Sequence, residues 1–431
     1  MGAFDSGTHD RAATERLRVR ERHLLLSRDF GLIWWGQLVS QVGDGVTKLA
    51  LLWFVYSITG SPIKTTVIGM LQTIPPIIFG PLIGVYLDRL PKKPVLIVTD
   101  LLRALLIGLV PCWVSPAAFT VEVLYLLVFL HALATSVFGP ALTASVPHLV
   151  QPSKFTAANA WLQITTSLGV ILGPALSGIG IAALSSQSVL CVNAVTYVVS
   201  AICLLPVRLP WVRPLPGRPT MFSSPIQDLL DGLRFAKQKI LLLLIAIAAL
   251  HSFGTAAFST LFPVFGRKML DLGPVEVGNL WSALGVGLFF MSLMLVRMTE
   301  WPFPKRLMVI AMSSGISGAA LFGLAGAPDS LTAAVCMVII GAGIGAFTPI
   351  AWGVLQEVSP DRLLGRVLTI YGTGAMTAAI AGMTAFGWIT QQFGERVGVI
   401  GIGAILLITA VLVATCTRWV GPMSDKRTAC L

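Results

Sequence analysis

From Phe30 onward the chain is a succession of long apolar runs separated by short polar breaks. Each run reaches about 20 residues, enough for a helix rising 1.5 Å per residue to cross about 30 Å of hydrocarbon. Twelve spans are predicted, beginning near Phe30, Thr66, Val95, Phe119, Ala157, Val189, Ile240, Val275, Leu307, Leu331, Leu363 and Val397. Membrane-crossing strands would alternate apolar and polar positions over about ten residues. The run from Ile240 to Leu250 is instead apolar on every side. The pattern therefore predicts an all-α polytopic membrane protein and excludes a barrel.

Composition agrees, with 55% hydrophobic residues, 11% charged residues and a mean hydropathy of +0.84. A soluble globular chain carries about 25% charged residues. Residues 1–29 are polar and basic and lack the apolar stretch and small-residue cleavage site of a signal peptide, so they are expected to stay as a cytoplasmic arm. Of the 30 Lys and Arg residues, 24 fall in segments on one side of the spans. Positive charge is retained on the cytoplasmic side, so both termini are expected there, in a bacterial cytoplasmic (inner) membrane. Orientation and attraction to anionic headgroups account for the net charge of +11, and no nucleic-acid partner is needed.

The chain divides once. A stretch holding Pro210, Pro214, Pro216, Pro219 and Pro225 with six basic residues separates the spans into two sets of six. The expected organisation is an arm at 1–29, a six-helix bundle at 30–208, a cytoplasmic linker at 209–239, a second bundle at 240–420 and a cytoplasmic tail at 421–431. Ser224-Pro225, with Asp228 and Asp231 following, supplies an N-cap, a first-turn proline and early acids. A short amphipathic helix on the inner membrane face is predicted there.

The loop after the second span reads Gly80-Pro-Leu-Ile-Gly84-Val-Tyr-Leu-Asp88-Arg89-Leu-Pro91-Lys92-Lys93. Its GxxxD, single basic residue and basic pair resemble the signature between the second and third spans of the major facilitator superfamily, although Pro91 stands where that family usually has glycine. Arg297 to Arg306 is a degenerate echo in the second half. Phe30 to Ser40, Gly43-Asp44, Thr59-Gly60-Ser61, Asp100-Leu-Leu-Arg103, Ala158-Asn159 and Gly365-Arg366-Val367 resemble the branch that includes macrolide efflux proteins and the enterobactin exporter. The resemblance implies two pseudo-symmetric six-helix bundles and export from bacterial cytoplasm, usually driven by protons. Gly169-Val-Ile-Leu-Gly173-Pro174, with Gly178 beyond, resembles the antiporter motif, although the full motif carries more glycines.

On the first span Trp34, Gln37, Gln41, Asp44 and Lys48 recur at intervals of three or four and share one helical face. Asp44 lies about 21 Å along the helix from Phe30, near mid-membrane, where an unpaired charge is costly. Lys48, one turn on, is positioned to pair with it. The pair is read either as the proton-coupling site or as a structural ion pair. Asp100 and Arg103 are expected to join Asp88, Arg89, Lys92 and Lys93 in a charge network closing the inner gate, with Gly84 packing the loop. The substrate cavity is expected to hold Trp34, Gln37, Gln41, His131, Gln163, His251, Thr255, Trp281 and Tyr371. His131 and His251 titrate near neutral pH when unperturbed, and each also reads as a hydrogen-bonded core histidine.

The six cysteines have no CxxC spacing and imply neither a metal site nor a disulfide framework. No GxSxG, HExxH or phosphate-cradling loop occurs, so an enzyme is not expected, nor a cofactor. The leading reading is a monomeric proton-coupled exporter of amphipathic small molecules such as macrolides, other drugs or siderophores. An uptake carrier of the same fold, and a non-transporting membrane scaffold or receptor, are the alternatives.

Overall fold

The computed structural model describes residues 27–113, 121–151, 155–209, 239–295, 303–358 and 361–428, with the side chains of Gly84, Asp88, Arg89 and 361–366 among those outside the description. Most of the linker and its amphipathic helix also lie outside the described residues. Twelve helices are described: α1 (Arg28–Thr59), α2 (Pro62–Arg89), α3 (Lys92–Trp113), α4 (Val121–Leu149), α5 (Phe155–Ala183), α6 (Ser186–Leu204), α7 (Lys239–Met269), α8 (Pro274–Leu295), α9 (Phe303–Ala325), α10 (Ser330–Val358), α11 (Asp361–Phe393) and α12 (Glu395–Thr428). Each begins within four residues of its predicted start. Even the shortest, α6 with 19 residues, spans about 28 Å, and all twelve are long and apolar enough to cross a membrane.

Local sequence sets the turns. Gly60 ends α1 in the left-handed conformation with its amide bonded to Tyr56 O at 2.8 Å, a geometry that glycine adopts without a Cβ penalty. Pro62 then occupies the first turn of α2 and the Ser61 side chain caps it. Gly394, also at positive φ, turns α11 into α12. Before α10 the Thr332 amide donates to Asp329 Oδ1 at 2.7 Å, and backbone and side-chain hydrogen bonds from Thr332 hold the exposed Asp329 carboxyl below its ordinary pKa.

The two halves repeat one packing plan. In the first, α1 packs on α5 and α6, α2 on α4, and α3 on α4 and α6; in the second, α7 packs on α11 and α12, α8 on α10, and α9 on α10 and α12. The halves meet through α2 against α11 and α5 against α8, two contacts that exchange under a pseudo-two-fold axis along the membrane normal, as in parallel repeats. Rows such as Leu101, Leu105, Val192, Val195, Phe290, Leu293, Val411 and Leu412 remain exposed on the outside. In water so much apolar surface would drive association; in a bilayer it is the lipid face.

Burial is unequal along the membrane normal. At the end opposite both termini, one apolar core runs through both bundles, from Leu49, Phe54 and Ile107 to Phe258, Phe265, Leu284 and Leu406. Towards the termini it divides into Ile33, Leu87, Leu96 and Phe138 on one side and Leu244, Ile310, Ala351 and Val367 on the other. The molecule is a wedge closed at its far end. Across the closed end Ser61 Oγ donates to Gln391 Oε1 at 2.8 Å, and Arg267 lies over the rings of Trp53 and Tyr56 at 5.4 and 6.0 Å.

Candidate functional site

Glycines let the helices bearing polar groups approach closely. A Cβ on Gly173 of α5 would meet Gly45 Cα of α1 at 2.5 Å, and one on Gly169 would meet the Gln41 carbonyl carbon at 2.8 Å. Backbone stands against backbone here, so no side chain can give way. The same motif reaches the other bundle, since a Cβ on Gly178 would touch Val275 Cα at 3.0 Å and one on Gly278 would touch Gly178 Cα at 3.2 Å.

α1 is thereby held with Asp44 turned towards α3 and α6. The Arg103 guanidinium binds Asp100 one turn earlier on α3 and reaches Asp44 Oδ2 at 3.9 Å. It is sandwiched between the rings of Phe138 and Tyr197, 4.2 and 4.3 Å from their centroids. Tyr197 of α6 donates its hydroxyl proton to Asp44 Oδ1, and its oxygen lies 2.9 Å from His131 Nε2. Because the only Tyr197 hydroxyl proton is committed to Asp44, Nε2 is the nitrogen that donates in that contact. A continuous chain thus runs from His131 through Tyr197 and Asp44 to Arg103 and Asp100. Its Arg103 and Asp100 side chains are 2% and 0% exposed, whereas Asp44 is 27% exposed.

This corrects the expected pairing. Lys48 forms no ion pair with Asp44; its ammonium lies 5.4 Å from the ring centroid of Trp281 on α8. Nor does Arg103 serve only the inner gate, because its second carboxylate is Asp44. Of the charged side chains of the gate loop, those of its basic pair are described. Lys92 Nζ donates to Leu87 O, and Lys93 Nζ to Leu205 O at 2.7 Å, tying α3 to the end of α6. The side chains of Asp88 and Arg89, expected in the same network, lie outside the described residues.

The residues expected around a cavity do not share one environment. Gln41, Gln163 and Thr255 keep exposed surface, as do Asp44 and Lys48 of the expected pair. Trp34 is buried, with Nε1 donating to Trp161 O at 2.9 Å, so it fastens α1 to α5. His251 is buried and stacks on Phe347 with centroids 3.8 Å apart, and Gln37, Trp281 and Tyr371 are buried as well. Tyr197 and Asn193 went unread in the sequence. Asn193 Nδ2 donates to Thr47 Oγ1 at 2.5 Å, beside Gly43. The available signal was Asn193, Tyr197 and Ser200, a polar stripe at spacings of four and three along the span. No group of His, Cys, Asp and Glu among the described residues could hold a metal.

The sequence pattern of the Major Facilitator Superfamily matches residues 33–383. Macrolide efflux protein A of Streptococcus pyogenes is 24% identical over 402 residues, covering 92% of this chain and 96% of that protein. The multidrug efflux pump Tap of Mycolicibacterium fortuitum is 26% identical over 394 residues, covering 90% and 95%. Among solved structures, a bacterial homologue of the iron transporter ferroportin in an inward-facing state superposes with a TM-score of 0.69 at 17% identity, covering 90% of this chain and 98% of that one. The nucleoside transporter NupG gives 0.68 at 15%, covering 90% and 98%. At such identities the structures share the fold alone.

Proposed function

We propose that this chain, which belongs to the major facilitator superfamily and moves small molecules across a membrane by secondary active transport, is a proton-coupled exporter of amphipathic molecules. The superfamily is non-catalytic, so the site is read for ion coupling and not for bond chemistry. The end bearing both termini is taken as cytoplasmic, in a bacterial inner membrane, which makes the wedge an inward-facing state ready to load.

The observation that carries the reading is the chain of five polar side chains, all but Asp44 buried, in an apolar bundle. Asp44 and Asp100 share one guanidinium, so with both carboxylates ionised the cluster holds one negative charge in excess. A single proton cancels it, and a low-dielectric surround rewards that cancellation. Asp44 is the member that keeps exposed surface, so it is the point of proton entry. Protonating Asp44 releases Arg103 to Asp100 alone and loosens α1 from α3 and α6. One charge event thereby biases the packing of α1, the helix that bears Lys48 and Gln41.

Efflux is favoured over uptake because relatives covering nine-tenths of the chain are named as efflux proteins. Macrolides, other drugs and siderophores are the substrate classes to try first. The experiment is a susceptibility and accumulation screen in cells with and without the chain, each repeated with a protonophore. Lower accumulation that the protonophore abolishes is the expected result. Higher accumulation in expressing cells would make the chain an uptake carrier, and no difference for any compound would favour a scaffold.

A further inference from the structure

Lys48 is exposed, and its ammonium points across the bundle interface at Trp281 of α8, 5.4 Å from the ring centroid. It therefore borders an internal space and not lipid, where a lysine this far from either helix end would be prohibitive. It stands where the shared apolar core begins on α1, because Val46 and Leu49 belong to that core and Phe30, Ile33 and Trp34 do not. Lys48 thus marks the head of the wedge. Its neighbour across the bundle interface is Trp281, itself held edge-on by Phe262.

Among the described residues no carboxylate pairs with the ammonium. Arg103 pairs with Asp44 and Asp100, and Asp44, the nearest acid along the helix, is already engaged by Arg103 and Tyr197. A tryptophan face attracts a cation but does not neutralise it. An unneutralised cation enclosed by apolar helices calls for an anion that arrives from outside. We propose that Lys48 and Trp281 form a substrate-binding point for an organic acid, with the ammonium pairing with a carboxylate of an amphipathic molecule whose apolar body lies against the surrounding walls. This rests on the export reading only in taking the wedge as the substrate's path, and it narrows the substrate class from amphipathic to acidic.

The test uses the purified full chain in a neutral detergent with two fluorescent probes, dansylaminoundecanoic acid and its methyl ester. They differ in charge and hardly in shape. A charge-assisted contact predicts that wild type binds the acid about ten- to a hundredfold more tightly than the ester. Lys48→Gln is expected to erase that ratio and Lys48→Arg to keep most of it. Equal binding of acid and ester by wild type, binding of neither, or an unchanged ratio in Lys48→Gln would each overturn the proposal. Lys48→Met is the second uncharged variant, and failure of both uncharged variants to fold would assign Lys48 to structure instead. No gradient enters the measurement. Acid-selective binding without protonophore-sensitive export would refute the coupling and leave this site standing; export without acid selectivity would do the reverse.

Discussion

Replacing Arg103 by methionine removes the only cation from a buried cluster and strands two carboxylates. Arg103 and Asp100 are almost wholly buried, so water cannot compensate. Breaking a buried pair by deleting one partner costs about 3–5 kcal/mol, and loss of the two aromatic contacts adds about 1 kcal/mol or more. A loss of about 4–6 kcal/mol approaches the whole stability of many folds, and the variant is expected to accumulate poorly. The diagnostic is the double variant Arg103→Met/Asp100→Asn. With one stranded charge removed, about half the lost stability is expected to return, and adding Asp44→Asn should restore more. Unfolding free energies by steric trapping in bicelles, at matched lipid composition, measure each step. If Arg103→Met costs less than about 1 kcal/mol, or if Asp100→Asn destabilises equally with and without Arg103, the three residues are not one electrostatic unit and the coupling mechanism fails with them.

Gly173→Leu is expected to push α1 from α5, because its Cβ alone would meet Gly45 Cα at 2.5 Å; a loss of about 1–3 kcal/mol or more should appear as a lower Tm in detergent. Gly353→Ala, where a Cβ meets nothing within 4 Å, is the control and should leave Tm unchanged or raised. Gly278→Val is expected to prise α8 from α5 at the closed end, lengthening the distance between spin labels at Leu184 and Asp271; an unaltered distance distribution would show that this contact does not hold the end shut. Arg267→Ala removes the cation lying over Trp53 and Tyr56 and should shift the same labels in the same direction by a smaller amount.

The twelve spans were legible because hydrocarbon thickness imposes one long apolar period on the sequence, and turn residues such as Gly60, Ser61 and Pro62 punctuate it. The two-bundle plan was legible from the proline-rich break and the repeated loop. The partners within the site were not. Asp44 and Lys48 share a helical face, and spacing alone pairs them at i and i+4, but the choice belongs to tertiary packing. Gly43, Gly45, Gly169 and Gly173 bring α1 close enough to α5 and α6 for Asp44 to reach Tyr197, and Arg103 rises from α3 to meet it. His251 illustrates the converse. The sequence left it open between a cavity lining and a core histidine, and packing decides for the core, where its planar imidazole is buried on Phe347.

If proton binding at the Asp44 cluster drives export, neutralising Asp44 uncouples transport from the gradient. The direct measurement is export driven by an imposed pH gradient in vesicles carrying equal amounts of wild type or Asp44→Asn, using a substrate found in the accumulation screen. The account predicts gradient-driven transport by wild type and none above the leak by Asp44→Asn, with substrate binding still measurable in the variant. Undiminished pH-driven transport by Asp44→Asn would contradict it.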